Sequence, residues 1–382
     1  MVTEAQVREA LRTVMDPEIG RPIEDIGMLR DIRIEGGAVT VHVLITIEGC
    51  PLKDRITQDV TAAVRPLDGV EAVQVELTPM SPEQRETLVQ QLRGGAPAPG
   101  AAAQPRIQFP PQTAVIAVAS GKGGVGKSSV TVNIAAALAA EGHAVGVLDA
   151  DVWGFSVPRM MGVSGQPVGF NDMILPLEAH GVKVISMGFF VPEETPVIWR
   201  GPMLHKAIEQ FLGDVYWGDL DFLLCDLPPG TGDVSISLAS FLPGASMLVV
   251  TTPQDAARKV AERAGKMAER TNLRPLGVVE NMSYYLCPHC GERDDIFGSG
   301  GGREAAETLG VPLMGQVPLL PALREGGDIG MPIVLSQPDA PASHALREAA
   351  TAVARATKTK VGKPLTLMTT PGAPANAGAH QH

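Results

Sequence analysis

The chain has 382 residues, of which 45% are hydrophobic and 19% are charged. That length and balance predict two globular domains and a sizeable buried core. The net charge of −11 makes the chain a poor candidate for a general nucleic-acid binder, because contacts to phosphates need a positive field. Four cysteines are too few for a disulfide framework, no signal peptide is apparent, and no apolar run approaches the about 20 residues that a membrane span needs. We therefore expect a cytoplasmic protein without nucleic-acid or membrane partners.

Residues 1–80 predict a small α/β domain with the element order αββαβ. Thr3 and Gln6 are spaced as a capping box at the start of the first helix. Gly36 and Gly37 separate two runs of alternating apolar residues, which is typical of a β-hairpin. Cys50 lies at the predicted start of the second helix, where the helix dipole lowers the pKa of a thiol. Cys50 is thus a candidate reactive thiol, and a small buried hydrophobic residue is the alternative.

A linker and a larger domain follow. Residues 81–112 are assigned to the linker, because residues 94–112 are rich in Gly, Ala and Pro, and a weakly helical stretch precedes them. Residues 113–357 alternate short apolar runs with helical stretches and predict an α/β fold with a doubly wound, mostly parallel sheet. The predicted strands are 114–119, 144–148, 182–185, 222–225, 247–250 and 276–279, and the clearest helices are 127–141, 202–212 and 256–270. Residues 358–382 lack apolar periodicity and are predicted to be a disordered tail.

A phosphate-binding loop follows the first strand of the larger domain and leads into a helix. The predicted nucleotide-binding residues are Gly121, Lys122, Gly123, Gly124, Val125, Gly126, Lys127, Ser128 and Ser129, and the first eight match G-x-x-x-x-G-K-[ST]. The glycines let backbone N–H groups surround phosphate oxygens. Lys127 is expected to reach the β- and γ-phosphates of ATP, and Ser128 to ligate Mg²⁺. The alternative, a Gly-rich turn that binds nothing, does not explain the Lys-Ser pair in register with strand and helix.

Carboxylates fall at the ends of two further predicted strands, at the edge where α/β sheets bind ligands. Asp226 is the expected Walker B carboxylate, which holds Mg²⁺ through water, and Asp149 is expected to brace the loop and the metal ion. Gly230 can present a backbone N–H to the γ-phosphate. An aspartate at a strand end is most often a turn or N-cap residue, and that is the alternative for these positions.

The string GKGGVGKS resembles the deviant Walker A ATPases, which include MinD, ParA and the nitrogenase iron protein. The resemblance implies that Lys122 reaches the nucleotide of the partner subunit across a homodimer and acts there like an arginine finger. It also implies that Asp151 positions the attacking water. The expected catalytic residues are therefore Lys122, Lys127, Asp151 and Asp226. For Lys122 the alternative is a solvated surface lysine.

Longer strings in the larger domain are similar to the Mrp/ApbC iron–sulfur carrier ATPases. They are residues 149–158 (DADVWGFSVP), 199–203 (WRGPM), 226–233 (DLPPGTGD), 251–254 (TTPQ) and 280–283 (ENMS). The resemblance covers about residues 110–350 and implies that Asn281 contacts the adenine base. It also implies that the segments near 199–203 and 230–233 sense the state of the nucleotide.

Residues 1–80 separately resemble the small PaaD/SufT-like iron–sulfur assembly domain. Asp16-Pro17-Glu18, Gly27, and Thr46 with Cys50-Pro51 match its pattern. The resemblance implies that Cys50 is the reactive cysteine of this domain. Pro79-Met80-Ser81 departs from the Pro-x-Trp with which many relatives end it.

The remaining cysteines divide into a C-x-x-C pair and a core residue. Cys287 and Cys290 can direct two thiolates at one metal centre, whereas a tetrathiolate site needs four and the chain has no second C-x-x-C. A homodimer that shares one [4Fe–4S] cluster at its two-fold axis is the economical solution, and the Mrp/ApbC resemblance implies the same arrangement. A bridging zinc ion and a thiol–disulfide pair are the alternatives. Cys225 lies in an apolar strand and is expected in the core.

These observations together indicate a homodimeric P-loop ATPase that carries a [4Fe–4S] cluster to apo iron–sulfur proteins and interacts with cluster-assembly factors. We expect ATP hydrolysis with Mg²⁺ to be slow. A ParA/MinD-like positioning ATPase is the runner-up, but it needs a basic face or an amphipathic membrane helix. A scaffold with a vestigial ATPase is a third interpretation, which the intact loop and acidic residues disfavour.

Overall fold

The structure is a computed structural model that describes residues 2–17, 19–46, 53–92, 107, 109–151, 154–170, 173–190, 201–230, 233–254, 257–287 and 289–358. Cys50, most of the predicted linker, residues 199 and 200 of the WRGPM string and the predicted tail beyond residue 358 lie outside the described residues.

The N-terminal domain has the predicted order αββαβ. Its elements are α1 (Glu4–Leu11), β1 (Leu29–Glu35), β2 (Ala38–Ile45), α2 (Lys53–Val64) and β3 (Ala72–Pro79). Thr3 caps α1 through the predicted capping box with Gln6. Strand β2 pairs antiparallel with β1 and parallel with β3, and the apolar faces of both helices are buried against this sheet.

A further helix, α3 (Pro82–Leu92), stands where the sequence predicted the start of a linker. Ser81 and Gln84 exchange hydrogen bonds at its N-terminus, which form a second capping box. Leu88 and Val89 are buried in the same apolar cluster as the core of the small domain. Burial of these two side chains therefore extends ordered structure to residue 92.

The larger domain contains one large mixed sheet and a separate two-stranded hairpin. Its strands are β4 (Ala114–Ala119), β5 (Val145–Asp149), β6 (Val168–Phe170), β7 (Met173–Leu175), β8 (Leu177–Ala179), β9 (Val182–Ser186), β10 (Phe222–Asp226), β11 (Ser246–Thr251), β12 (Arg274–Leu286), β13 (Arg293–Asp294) and β14 (Leu313–Leu319). The order in the sheet is β13-β12-β11-β4-β10-β5-β9-β8, and β14 also pairs with β12. All pairs are parallel except those made by β8 and β13, while β6 and β7 form a separate hairpin.

Helices cover both faces of this sheet, as the doubly wound interpretation requires. They are α4 (Lys127–Ala140), α5 (Val157–Met160), α6 (Gly201–Gly213), α7 (Asp233–Phe241), α8 (Ala257–Thr271), α9 (Gly301–Leu309), α10 (Pro321–Ile329), α11 (Ile333–Ser336) and α12 (Pro341–Lys358), with a 3₁₀ turn at Met187–Phe190. Two apolar clusters lie on opposite sides of the sheet, one built mainly with α4 and α12 and the other with α6 and α8. In the part of the chain that the structure describes, no helix combines the length and apolar character of a membrane span.

The two domains share buried apolar surface. Met173 and Leu175 of the β6–β7 hairpin are 3% and 2% exposed and belong to the cluster that forms the core of the small domain. Tyr216 lies on a segment bonded to that hairpin, and burial raises the pKa of its hydroxyl above the ordinary value. The small domain is therefore packed against this hairpin.

Candidate nucleotide site and cysteine hairpin

The carboxyl ends of β4, β5 and β10, together with the middle of β12, bring the predicted nucleotide-site residues to one edge of the sheet. The loop after β4 contains Gly124 and Gly126, each with φ of +78°, a conformation that favours glycine. Helix α4 begins at Lys127, whose side chain is 6% exposed. The loop thus leads from a buried strand into the N-terminus of a helix, as anion binding requires.

Asp226 is the centre of the hydrogen-bond network at this edge. Its carboxylate is fully buried and lies 2.6 Å from the Nζ atom of Lys127. Ser128 donates a hydrogen bond to it at 2.5 Å, and Thr131 donates another at 2.7 Å. The structure thus brings together three predicted residues, Lys127, Ser128 and Asp226. The hydroxyl of Ser128 and the carboxylate are hard oxygen donors of the kind that Mg²⁺ prefers, and so they fit this ion.

Asp149 lies beside Asp226 on the neighbouring strand, in register with it. One carboxylate oxygen accepts the backbone N–H of Asp151 at 3.2 Å, and the other accepts the hydroxyl of Ser186 at 3.0 Å. Burial, together with the charge of Asp226, raises the pKa of Asp149 to about 8. Both oxygens are therefore engaged by the protein, an arrangement in which Asp149 braces the turn that carries Asp151.

Lys122 is tied to a neighbouring loop in its own chain. Its ammonium group donates a hydrogen bond to the side-chain oxygen of Gln254, which follows β11. Ser120 donates to the carbonyl of Lys122 at 3.1 Å and accepts, through its own carbonyl, the N–H of Gly230 at 2.9 Å. The first turn of the phosphate loop is thereby joined to the DLPPG segment, and the N–H of Gly230 that was expected to face the γ-phosphate is engaged within the chain.

Asn281 reaches the phosphate loop from β12. Its amide donates to the carbonyl of Val125 at 2.9 Å, and its side chain is 3% exposed. The amide oxygen is buried and has no partner among the described residues. A buried acceptor of this kind is free to take a hydrogen bond from a ligand.

The C-x-x-C pair lies at the tip of the antiparallel β12–β13 hairpin. The N–H of Cys287 donates to the carbonyl of Glu292, and the N–H of Gly291 donates to the carbonyl of Cys287. Hydrogen bonds from the backbone N–H groups of Cys290 and His289, and from the side chain of Cys290, hold the pKa of Cys287 below its ordinary value. The turn therefore favours a thiolate, the form that binds metals.

The cysteine pair has no further metal-ligating side chains grouped with it among the described residues of one chain. Across the described residues, no group of three or more His, Cys, Asp or Glu side chains could hold a metal ion. Cys287 is half-buried and Cys290 is exposed, and both are free thiols. Cys225 is fully buried in β10, and this burial raises its thiol pKa well above the ordinary range, as expected of a core residue.

The contacts of four residues in this region were not predicted from the sequence. Thr131 lies one helical turn after Lys127, and that spacing could have indicated its contact with Asp226. Ser186, Gln254 and Glu280 carry no local signal, because their partners lie on other elements.

Comparison with known proteins follows the same division of the chain. Residues 112–354 match the family model described as "NUBPL iron-transfer P-loop NTPase", and residues 4–77 match the model described as "Iron-sulfur cluster assembly protein". The chain belongs to the NUBPL-type iron-transfer P-loop NTPase family. The Mrp/ApbC-type resemblance and the P-loop α/β fold are therefore confirmed.

Relatives of this NTPase align along most of its length. An "Iron-sulfur cluster carrier protein" of Mycobacterium leprae is 54% identical over 348 residues, which cover 88% of this chain and 89% of the relative. A protein of the same description from Synechocystis is 44% identical over 93% of this chain and 98% of its own length. A nucleotide-binding protein from Archaeoglobus fulgidus, solved in complex with ADP, is 38% identical with a TM-score of 0.53, over 60% of this chain and 90% of that one.

Proposed function

We propose that a homodimer of this chain binds one [4Fe–4S] cluster through Cys287 and Cys290 of both subunits and transfers it to apo iron–sulfur proteins. The observation that carries the proposal is the cysteine hairpin on β12, the same strand that presents Asn281 to the phosphate loop. The descriptions of the mycobacterial and cyanobacterial relatives support the carrier role.

The cluster is the cargo of the protein, and its binding requires thiolates. The hairpin supplies two, of which Cys287 has a lowered pKa, and the exposed Cys290 can face a second subunit. Two copies related by a two-fold axis supply four thiolates. A bridging zinc ion would use the same ligands, so metal analysis decides between them.

ATP binding and slow hydrolysis are assigned to the phosphate-loop edge. Lys127 would release Asp226 and bind the phosphates, and Ser128 and Asp226 would hold Mg²⁺, which supplies charge compensation on the phosphates. The free amide oxygen of Asn281 is matched to the amino group of adenine. ADP in the Archaeoglobus relative supports the choice of an adenine nucleotide.

Hydrolysis further requires a water and a positive charge at the transferred phosphoryl. We assign the positioning of the water to Asp151, and the charge to Lys122 of the partner subunit once it leaves Gln254.

The small domain, with Cys50, is assigned to exchange with cluster-assembly factors and client apoproteins. Nucleotide-driven rearrangement of the dimer would then change the exposure of the cluster.

Anaerobic cluster reconstitution tests the proposal. The wild type is expected to bind one cluster per dimer, seen by visible absorption, by iron and sulfide analysis and by molar mass. The double variant Cys287→Ala/Cys290→Ala should lose the cluster, whereas the single-thiol control Cys50→Ala should retain it. Equal cluster content in the double variant and the wild type, or zinc in place of iron after anaerobic purification, would overturn the proposal.

A further inference from the structure

Glu280 is a fully buried carboxylate next to the segment 281–301 that carries the cysteine hairpin. Its hydrogen bonds join the two ends of this segment. Glu280 lies on β12 before that segment, and its Oε2 atom accepts the N–H of Gly302, which lies 22 residues later at the start of α9. The C-x-x-C pair lies between these two residues. One hydrogen bond thus ties the outgoing and the returning chain together.

The other oxygen of Glu280 fixes the strand itself. Its Oε1 atom accepts the hydroxyl of Ser283 and, at 2.8 Å, the side-chain N–H of Gln316 from β14. The amide of Gln316 also donates to Ser283 at 3.2 Å. All these donors are neutral, so hydrogen bonds and the positive end of the α9 dipole compensate the buried carboxylate.

Capping of α9 alone does not account for this arrangement. The N-cap of α9 is Gly300, which has no side chain to accept a hydrogen bond, and an Asp, Asn or Ser at that position is the common local solution. The acceptor comes instead from a different element, β12, and a side chain added at Gly302 would meet the Cβ atom of Glu280 at 2.6 Å. The contact therefore fixes the position of the start of α9 relative to β12.

The hydrogen bonds of Glu280 to Gly302, Ser283 and Gln316 are called the Glu280 clamp. The next residue along β12 connects this clamp to the nucleotide site. Asn281 donates to the carbonyl of Val125 in the phosphate loop. Met282 then adopts φ of +55°, and the pairing of β12 with β14 shifts register between Asn281 and Tyr285. A residue other than glycine in the left-handed region marks a bulge that its surroundings must hold, and Ser283, bonded to Glu280, follows it directly.

We propose that Glu280 is a positioning residue that fixes the base of the cysteine hairpin to the nucleotide-contacting strand, so that nucleotide occupancy changes the accessibility of Cys287 and Cys290. The inference rests on the nucleotide-binding part of the proposed function and deepens it. It requires neither a bound cluster nor hydrolysis.

Alkylation of the iron-free, reduced protein tests the inference. In a Cys50→Ala background, the rates at Cys287 and Cys290 are measured with iodoacetamide and peptide mass mapping, without nucleotide and with saturating MgADP. Saturation is verified by calorimetric titration of each variant, so that a change in affinity does not enter the comparison. The wild-type rate should change on nucleotide binding by about fivefold or more, the lower end of typical coupling between sites.

In Glu280→Gln the ratio of the alkylation rates with and without MgADP should fall to about one, because the amide nitrogen replaces one acceptor oxygen and meets a group that is itself a donor, the N–H of Gly302 or the side-chain N–H of Gln316. If this variant does not fold, Gln316→Leu, which removes one donor to Glu280, should instead bring the ratio of the rates with and without MgADP closer to one. Ser343→Ala is the matched control, because it removes a buried hydroxyl that bonds two backbone carbonyls around α11 and α12. A merely destabilising change would raise both rates and leave their ratio intact.

The inference is overturned if the wild type shows no nucleotide effect, or if the folded Glu280 or Gln316 variant keeps the wild-type ratio. Failure of the proposed function appears separately. Absence of MgADP binding in the calorimeter contradicts the nucleotide site, and absence of cluster after reconstitution contradicts the carrier role, whereas neither result follows from failure of the clamp.

Discussion

At the scale of single residues, the contact between Lys122 and Gln254 bears on how catalysis is divided between subunits. Both side chains belong to one chain, and the bond between them holds the lysine on its own surface. An exposed hydrogen bond of this kind is worth about 1 kcal/mol, so a nearby phosphate charge can displace it. This local contact is therefore compatible with a role for Lys122 across a dimer.

Mixed dimers test that role directly. We expect Lys122→Ala and Asp151→Ala each to lower the ATPase rate by at least about tenfold, since charge stabilisation and water positioning are both needed. In a dimer of one variant of each kind, a lysine acting in trans leaves one site with both residues intact. Mixing the two inactive proteins should therefore restore activity, measured by phosphate release. No recovery on mixing would contradict action across the dimer.

Asp149 gives a prediction for the pH dependence of stability. Its pKa of about 8 in the folded protein exceeds that of an exposed aspartate, which is near 4. Between these two pH values the folded chain holds a proton on Asp149 that the unfolded chain has lost. Its contribution to stability is complete below the unfolded pKa, near 4, and is lost as the pH rises toward 8, by about 1.4 kcal/mol per pH unit.

The variant Asp149→Asn removes this titration while keeping acceptor and donor atoms for Asp151 and Ser186. Without nucleotide and Mg²⁺, its unfolding free energy from urea titrations should exceed that of the wild type by an amount that grows between pH 5 and pH 8. A difference that stays constant over this range would show that Asp149 is already ionised in the folded protein.

At the scale of elements, the contact between α9 and β12 is tight enough to be tested by one methyl group. A Cβ atom at Gly302 would lie 2.6 Å from the Cβ of Glu280 and 2.8 Å from its Oε2. We expect Gly302→Ala to lower the free energy of unfolding by about 1–3 kcal/mol through overpacking. Gly169→Ala is the control, since nothing lies within 4 Å of that position, and a similar loss there would refute the steric explanation.

The same contact shows which part of the fold could be predicted from sequence. Strands β4, β5, β9, β10, β11 and β12 and helices α4, α6 and α8 carry local periodicity, and each was predicted within a few residues of its bounds, except the longer carboxyl end of β12. The phosphate loop and the cysteine turn carry local motifs as well. Glu280 could not be predicted, because its partners lie on α9 and β14 and only the folded chain brings them together. Helix α3 was missed as part of the packed core because its burial depends on other elements too.

At the scale of the whole molecule, the packing of the small domain on the β6–β7 hairpin determines where the two domains meet. Leu175 is 2% exposed and belongs to the apolar cluster of the small domain, although it lies in the sequence of the larger one. Its neighbour Ile174 is bonded through its backbone to residues 214 and 216, which follow α6. The hairpin therefore connects the small domain to the elements that flank the WRGPM string.

A charge placed in this interface should release the small domain. We expect Leu175→Asp to increase the radius of gyration in small-angle scattering and to speed proteolytic cleavage between the domains, because burial of an unpaired carboxylate is costly. Nucleotide binding by the larger domain should persist, since the phosphate loop is built from other strands. Ile329→Asp places the same charge at a side chain that is 76% exposed, and it should leave both measurements unchanged. An unchanged radius of gyration in Leu175→Asp would mean that the hairpin does not hold the two domains together.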